Sequence, residues 1–298
     1  MENFILIILA ISIGYLFRRV RILPEESAAI LNKFVIFISL PAMILLQIPK
    51  LTLSMEILIP VIIAWVVMTV TALLTLFISK RLQFSKEVTG ALMLVAVLTN
   101  SSFLGIPVIK AYLGDEALPY VLVYDQMGTF LALATYGIFV AAYYSNQSEI
   151  TLKIMVVKVL TFPPFVSLII ALFFIGTPFP DMISKVLASL ANTIVPIALV
   201  AVGLQLQLKL PGHEIRPFGM ALLIKLIIAP LIALAIVAMA GWTNLAASVS
   251  VMEAGMAPMV TAGAMASMSG LAPRLSSAIV GYGILLSFFS TALLFKLL

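Results

Sequence analysis

Apolar residues run along this chain in long stretches, and polar residues collect in short gaps between them. Apolar windows and their breakers predict helices near 3–17, 27–48, 55–79, 88–112, 116–144, 152–175, 183–206, 217–240, 243–268 and 276–297. Crossing ~30 Å of hydrocarbon takes about 20 apolar residues in a helix. The pattern therefore predicts an all-α integral membrane protein with ten transmembrane helices and short loops.

The punctuation of the two halves matches. Pro24 pairs with Pro180, Pro41 with Pro196, Pro60 with Pro217 and Gly114 with Gly270, at offsets of 155–157 residues. Two five-helix repeats are expected, residues 1–145 and 146–298. Five is odd, so the second repeat starts on the opposite side of the membrane and is inverted. Inverted repeats are an architecture of secondary transporters, with the substrate site near the midplane between the halves.

Two of the predicted helices are interrupted, and they correspond under the repeat. The fourth contains LTNSSFLGIPVIKAYLG, with Asn100, Ser101, Ser102, Gly105 and Pro107. The ninth contains VMEAGMAPMVTAGAMASMSG, with Glu253, Gly255, Pro258, Thr261 and Gly263. Proline removes a backbone donor and clashes with the preceding turn. Backbone groups freed in this way cannot face lipid, so they face protein or a wet cavity. A broken helix also brings the positive N-terminus of its second half to the membrane centre, where an anion binds well. Asn100, Ser101, Ser102, Gly105, Pro107, Gly255, Pro258 and Thr261 are accordingly the expected substrate-binding positions.

Charge sharpens this picture. Only 10% of the 298 residues are charged against 63% hydrophobic, where a soluble domain carries roughly 25% charged residues. That leaves no room for a soluble catalytic domain. The net charge of +5 reflects basic residues at the ends of apolar stretches, not a nucleic-acid surface. Odd-numbered loops hold ten Lys and Arg, including Arg18, Arg19, Arg21, Lys80 and Arg81; even-numbered loops and the C-terminus hold four. The positive-inside rule then puts both termini outside a bacterial inner membrane. The stretch Phe4–Phe17 lacks a basic flank before it and a small-residue cleavage site after it, so it reads as a retained first helix.

Within the apolar stretches a few ionisable residues stand out. At ~1.5 Å per residue, Asn100 lies about 18 Å into its helix, Glu253 about 15 Å and Asp125 about 14 Å. All three fall near the middle of the bilayer. An ionised carboxylate there costs ~2.5 kcal/mol or more unless it is protonated, paired or wetted. Glu253 and Asp125 are the candidates for a coupling ion or proton. Lys225, also about 14 Å deep, is the candidate counter-ion. The chain has no cysteine and one histidine, His213, so neither a disulfide nor a structural zinc site is expected. No cofactor is expected beyond a sodium ion or proton. HExxH, GxSxG and GxGD motifs are absent, so the chain does not read as an intramembrane enzyme.

Four segments carry a resemblance: ILNKFVIFISLPAMILLQI, TNSSFLGIPVIKAYLGDEAL, IVPIALVAVGLQL and KLIIAPLIAL. In this order and spacing the chain resembles the auxin efflux carrier family, the bacterial relatives of the plant PIN-FORMED carriers. The resemblance implies a ten-helix fold whose fourth and ninth helices cross at their breaks, as in sodium–bile acid symporters. It implies transport of an organic anion: auxin in plants, malonate or malate in some bacterial members. It also implies a homodimer, and sodium bound by acidic and amide groups near the crossing. Plant carriers have Asn-Pro-Asn at the helix-four break; here Asn100 is followed by Ser101 and Ser102, and only Asn100 carries over. The long central loop of many plant members is absent. The expected activity is secondary transport of a small carboxylate by alternating access. A potential-driven uniporter or exporter, and a ligand-sensing membrane protein without transport, remain the alternatives.

Overall fold

The computed structural model describes residues 2–24, 26–51, 55–145, 157, 160–177, 179–206 and 214–298. Among these, regular structure is helical apart from one antiparallel bridge. The helices are α1 (Glu2–Val20), α2 (Ser27–Lys50), α3 (Met55–Arg81), α4 (Lys86–Val95), α5 (Ser101–Leu113) and α6 (Asp115–Ser145). They continue with α7 (Pro163–Leu172), α8 (Asp181–Gln205), α9 (Ile215–Ala240), α10 (Leu245–Ala254), α11 (Val260–Met268) and α12 (Pro273–Phe295). Six of them, α2, α3, α6, α8, α9 and α12, are long and apolar enough to cross a membrane. The predicted helices 88–112 and 243–268 are each two pieces, α4–α5 and α10–α11. The start of the predicted helix 152–175, the repeat boundary at 145/146 and His213 lie outside, or at the edge of, the described residues.

α1 runs three residues further than its apolar pattern suggested. Arg18 and Arg19 form its last turn, where cations offset the negative helix end. Arg18 Nη1 also donates to the Leu206 carbonyl at 2.9 Å, tying α1 to the end of α8. α7 begins at Pro163, because a Pro-Pro pair opens a helix but cannot continue one.

The helices pack in two groups. α1 lies along the second part of α8, and α2 packs on both α7 and α8. The α1–α8 contact is close because it is built on glycine: a Cβ on Gly14 would overlap the Val200 carbonyl, and one on Gly203 would overlap that of Ile11. Small residues let membrane helices approach to backbone contact. In the second group α3 packs on α9 and α10, while α4 packs on the end of α6, on α11 and on α12.

Wide π turns occur where the sequence explains them. Val35–Ser39, Ser101–Gly105 and Ile224–Ile228 each end two residues before a proline, Pro41, Pro107 and Pro230. A proline ring clashes with the carbonyl four residues back, which here lies inside the π turn in all three cases. Widening the turn relieves that clash and keeps the helix going. The wide turns Tyr124–Phe130 and Leu133–Gly137 have no such proline. In the first of these, Trp65 Nε1 donates to the Met127 carbonyl at 2.9 Å.

The matched punctuation residues occupy matched places. Pro60 and Pro217 each stand third in their helical runs, Leu58–Arg81 and Ile215–Leu223. Gly114 and Gly270 close α5 and α11 with φ of 80° and 71°, values that favour glycine. The spacing is not constant, however. Ser85 and Asn244 cap α4 and α10 and stand 159 apart (85 to 244), whereas the closing glycines stand 156 apart (114 to 270). α11 is shorter than α5, which shifts the register by three residues.

Candidate functional site at the crossing of two broken helices

α4 and α10 start alike and stop alike. Ser85 Oγ accepts from the Val88 N–H at 3.2 Å, and Asn244 Oδ1 from the Ala247 N–H at 3.0 Å. Side-chain oxygens at this position satisfy donors that a helix start leaves open. Each helix then runs ten residues, about 15 Å, before the backbone leaves the helical path.

The two breaks meet. The Asn100 N–H donates to the Ala257 carbonyl at 2.9 Å, and the Met259 N–H to the Leu98 carbonyl at 3.0 Å. These two bonds make an antiparallel bridge centred on Thr99 and Pro258. Thr99 and Pro258 are the pair that exchanges no hydrogen bond, so the missing proline N–H leaves nothing unsatisfied. The Pro258 ring lies where a Cβ on Gly283 of α12 would be, so α12 supports the crossing through a glycine.

Beyond the breaks, α5 and α11 begin inside the protein. Neither has a side-chain cap at its N-terminus, in contrast to the capped starts of α4 and α10. α5 opens with the wide turn Ser101–Gly105, in which the Gly105 N–H reaches the Asn100 carbonyl at 3.0 Å. Pro107 is buried in the first turn of the α-helical part, where its missing donor costs little.

Polar side chains gather around this crossing in three sets. In the first, Ser101 Oγ and Ser102 Oγ both donate to Asp125 Oδ1, and Gln126 Nε2 donates to Asp125 Oδ2 at 2.6 Å. This ties the wide turn of α6 to the start of α5. In the second, Lys225 Nζ donates to Thr99 Oγ1 at 2.6 Å and to the Ala254 carbonyl at 3.1 Å. Lys225 is only 1% exposed and stands in the wide turn of α9. In the third, Glu253 is fully buried and neither carboxylate oxygen has a hydrogen-bond partner among the described residues; Asn100 Nδ2 has none among them either. Gly105 faces the Glu253 carboxylate so closely that a Cβ there would overlap both oxygens.

The structure thus brings together Asn100, Ser101, Ser102, Gly105, Pro107, Asp125, Lys225, Glu253 and Pro258. The hydroxyls of Ser101 and Ser102 are turned onto Asp125. Gly255 is buried at the end of α10 against Leu294 rather than beside the carboxylates. Thr261 stands apart, on the exposed face of the first turn of α11. Lys225 is not hydrogen-bonded to either acid; it holds the two breaks, and its charge acts on Glu253 through space. Thr99 and Gln126 were missed by the sequence pattern. Each is the direct neighbour of a residue that was singled out, and Thr99 falls opposite Pro258 once the 159-residue spacing is used.

An unpartnered buried carboxylate is costly when ionised. Such a group is suited to taking up and releasing a proton or a cation. Uncapped helix starts beside it are suited to an anion. Such an arrangement can accommodate two opposite charges.

Comparison with known proteins gives the family. Residues 1–295 match the membrane transport protein family. An uncharacterized transporter of Methanothermobacter thermautotrophicus is 26% identical over 296 residues, covering 98% of this chain and 96% of its own. An uncharacterized transporter of Methanocaldococcus jannaschii is 30% identical over 218 residues, covering 70% of each chain. With its helices of membrane-crossing length and its match over nearly the full sequence, the chain belongs to the membrane transport protein family, that of the auxin efflux carriers.

Proposed function

We propose that this protein is a secondary active transporter that moves a small organic anion, a carboxylate, across a cytoplasmic membrane by alternating access. The observation that carries the reading is the contrast in helix starts: α4 and α10 are capped by Ser85 and Asn244, while α5 and α11 begin uncapped at the crossing. Open N–H groups and the positive ends of two half-helices would receive the anion, with Asn100 Nδ2 as a further donor. The backbone of Ser101 and Ser102 lies in this start, and their hydroxyls reach the anion only by leaving Asp125.

Glu253 would carry the coupling charge, a proton or a sodium ion, because both its oxygens lack partners among the described residues beside the anion site. Asp125 already accepts three donors, which assigns it to holding α5 in place. The proposed architecture is ten helices in two inverted repeats, 1–145 and 146–298. The matched caps, breaks and closing glycines support it, as does the two-fold character of an antiparallel bridge between the breaks. In that arrangement both termini lie outside, and one set of helices rocks against the other around the crossing.

Purified protein in proteoliposomes tests the reading. Radiolabelled dicarboxylates and indole acids should accumulate when a pH or sodium gradient is imposed. Glu253→Gln should abolish gradient-driven accumulation while leaving the protein monodisperse. Ligand-induced thermal stabilisation without flux of any of these acids would select a sensing protein instead.

A further inference from the structure

Lys225 places its amine at the spot where the crossing offers hard oxygen ligands. Its Nζ bonds the hydroxyl of Thr99, at the α4 break, and the carbonyl of Ala254, the last residue of α10. Carbonyls at the C-terminal end of a half-helix carry the negative end of its dipole, and such ends coordinate sodium in transporters with broken helices. Here those oxygens are spoken for by an amine that belongs to the chain. The nearby acid adds to the effect: Glu253, fully buried, is the residue directly before Ala254 and lies within Coulombic range of Lys225. A sodium ion at this point would have to displace the amine from both ligands and sit beside it.

We infer that Lys225 is a tethered amine that occupies the sodium position of the crossing, so the donor set does not fit a free sodium ion. This inference rests on the transport reading only for its consequence: the exchangeable charge is then the proton of Glu253, and coupling does not use sodium. The wide turn before Pro230 serves this arrangement, since it turns the Lys225 side chain inward at the level of the two breaks.

The test measures binding of radioactive sodium to detergent-purified protein, with choline as the replacing ion, alongside melting temperature in the two salts. The wild type should bind no sodium saturably and melt at the same temperature in both. Lys225→Gln and Lys225→Ala should gain saturable sodium binding and a sodium-dependent rise of several degrees in melting temperature. Recovery of these variants as monodisperse protein in sodium but not in choline is the same result in another form. Saturable sodium binding by the wild type would overturn the inference. So would folded Lys225 variants that bind none, or variants that fold in neither salt. Lack of carboxylate flux in proteoliposomes would remove the transport reading and leave these binding results standing.

Discussion

Gly105 and Glu253 share one volume: the carboxylate of Glu253 lies where a side chain on Gly105 would be. Gly105 ends the opening turn of α5 and Glu253 is the penultimate residue of α10, so the fit between them sets how near the two broken helices come. Gly105→Ala should therefore push the carboxylate off its place. Overpacking of this kind costs about 1–3 kcal/mol, visible as a lower melting temperature. Glu253→Ala in the same chain should restore most of that loss, because it removes the overlapping atoms. A double-mutant cycle by thermal melting checks the non-additivity.

Asp125 and Glu253 are both buried acids, but their surroundings separate them. Asp125 accepts from Ser101, Ser102 and Gln126, and Glu253 accepts from no described residue. Asp125→Asn weakens three charge-assisted bonds, each of a kind worth about 1.5–3 kcal/mol. Glu253→Gln removes none. The melting temperature should fall clearly in the first variant and stay within a few degrees of wild type in the second.

The contact between α1 and α8 is a meeting of backbones at Gly14 and Gly203. Neither partner can yield by rotating a side chain. Gly14→Leu should prevent the two helices from docking, at a cost of about 3 kcal/mol or more. Yield of monodisperse protein after detergent extraction is the measurement, with Gly219→Leu, where a Cβ meets open space, as the tolerant control.

Ser85 and Asn244 do the same work in the two halves. Replacing either by alanine should cost about 1 kcal/mol. The two losses should be similar and additive, since the caps sit on separate helices; melting curves of the single and double variants decide this.

Much of this architecture was legible before any coordinates. Helix positions follow from apolar runs of bilayer length, and the breaks follow from Gly, Ser and Pro inside them. The meeting of Leu98–Asn100 with Ala257–Met259 fits the same logic, because freed backbone groups deep in lipid need protein partners. What the pattern could not give is rotation. Thr261 sits one turn from the crossing yet faces outward, and helical spacing in an all-apolar segment does not say which side is inside. Nor could it give the partners of Asp125 and Lys225, which depend on how α6 and α9 turn toward α5 and α10. The offset of 155–157 falls three residues short at the breaks, since the closing glycines anchor it after the shorter α11.

The bridge between Thr99 and Pro258 has a mechanical consequence. Its two backbone bonds rivet α4–α5 to α10–α11 at the point where each chain is weakest. Neither broken helix can slide, tilt or unwind there without taking the other with it. Any movement that leaves the rivet closed carries Asn100, Glu253 and the two uncapped helix starts together as one body.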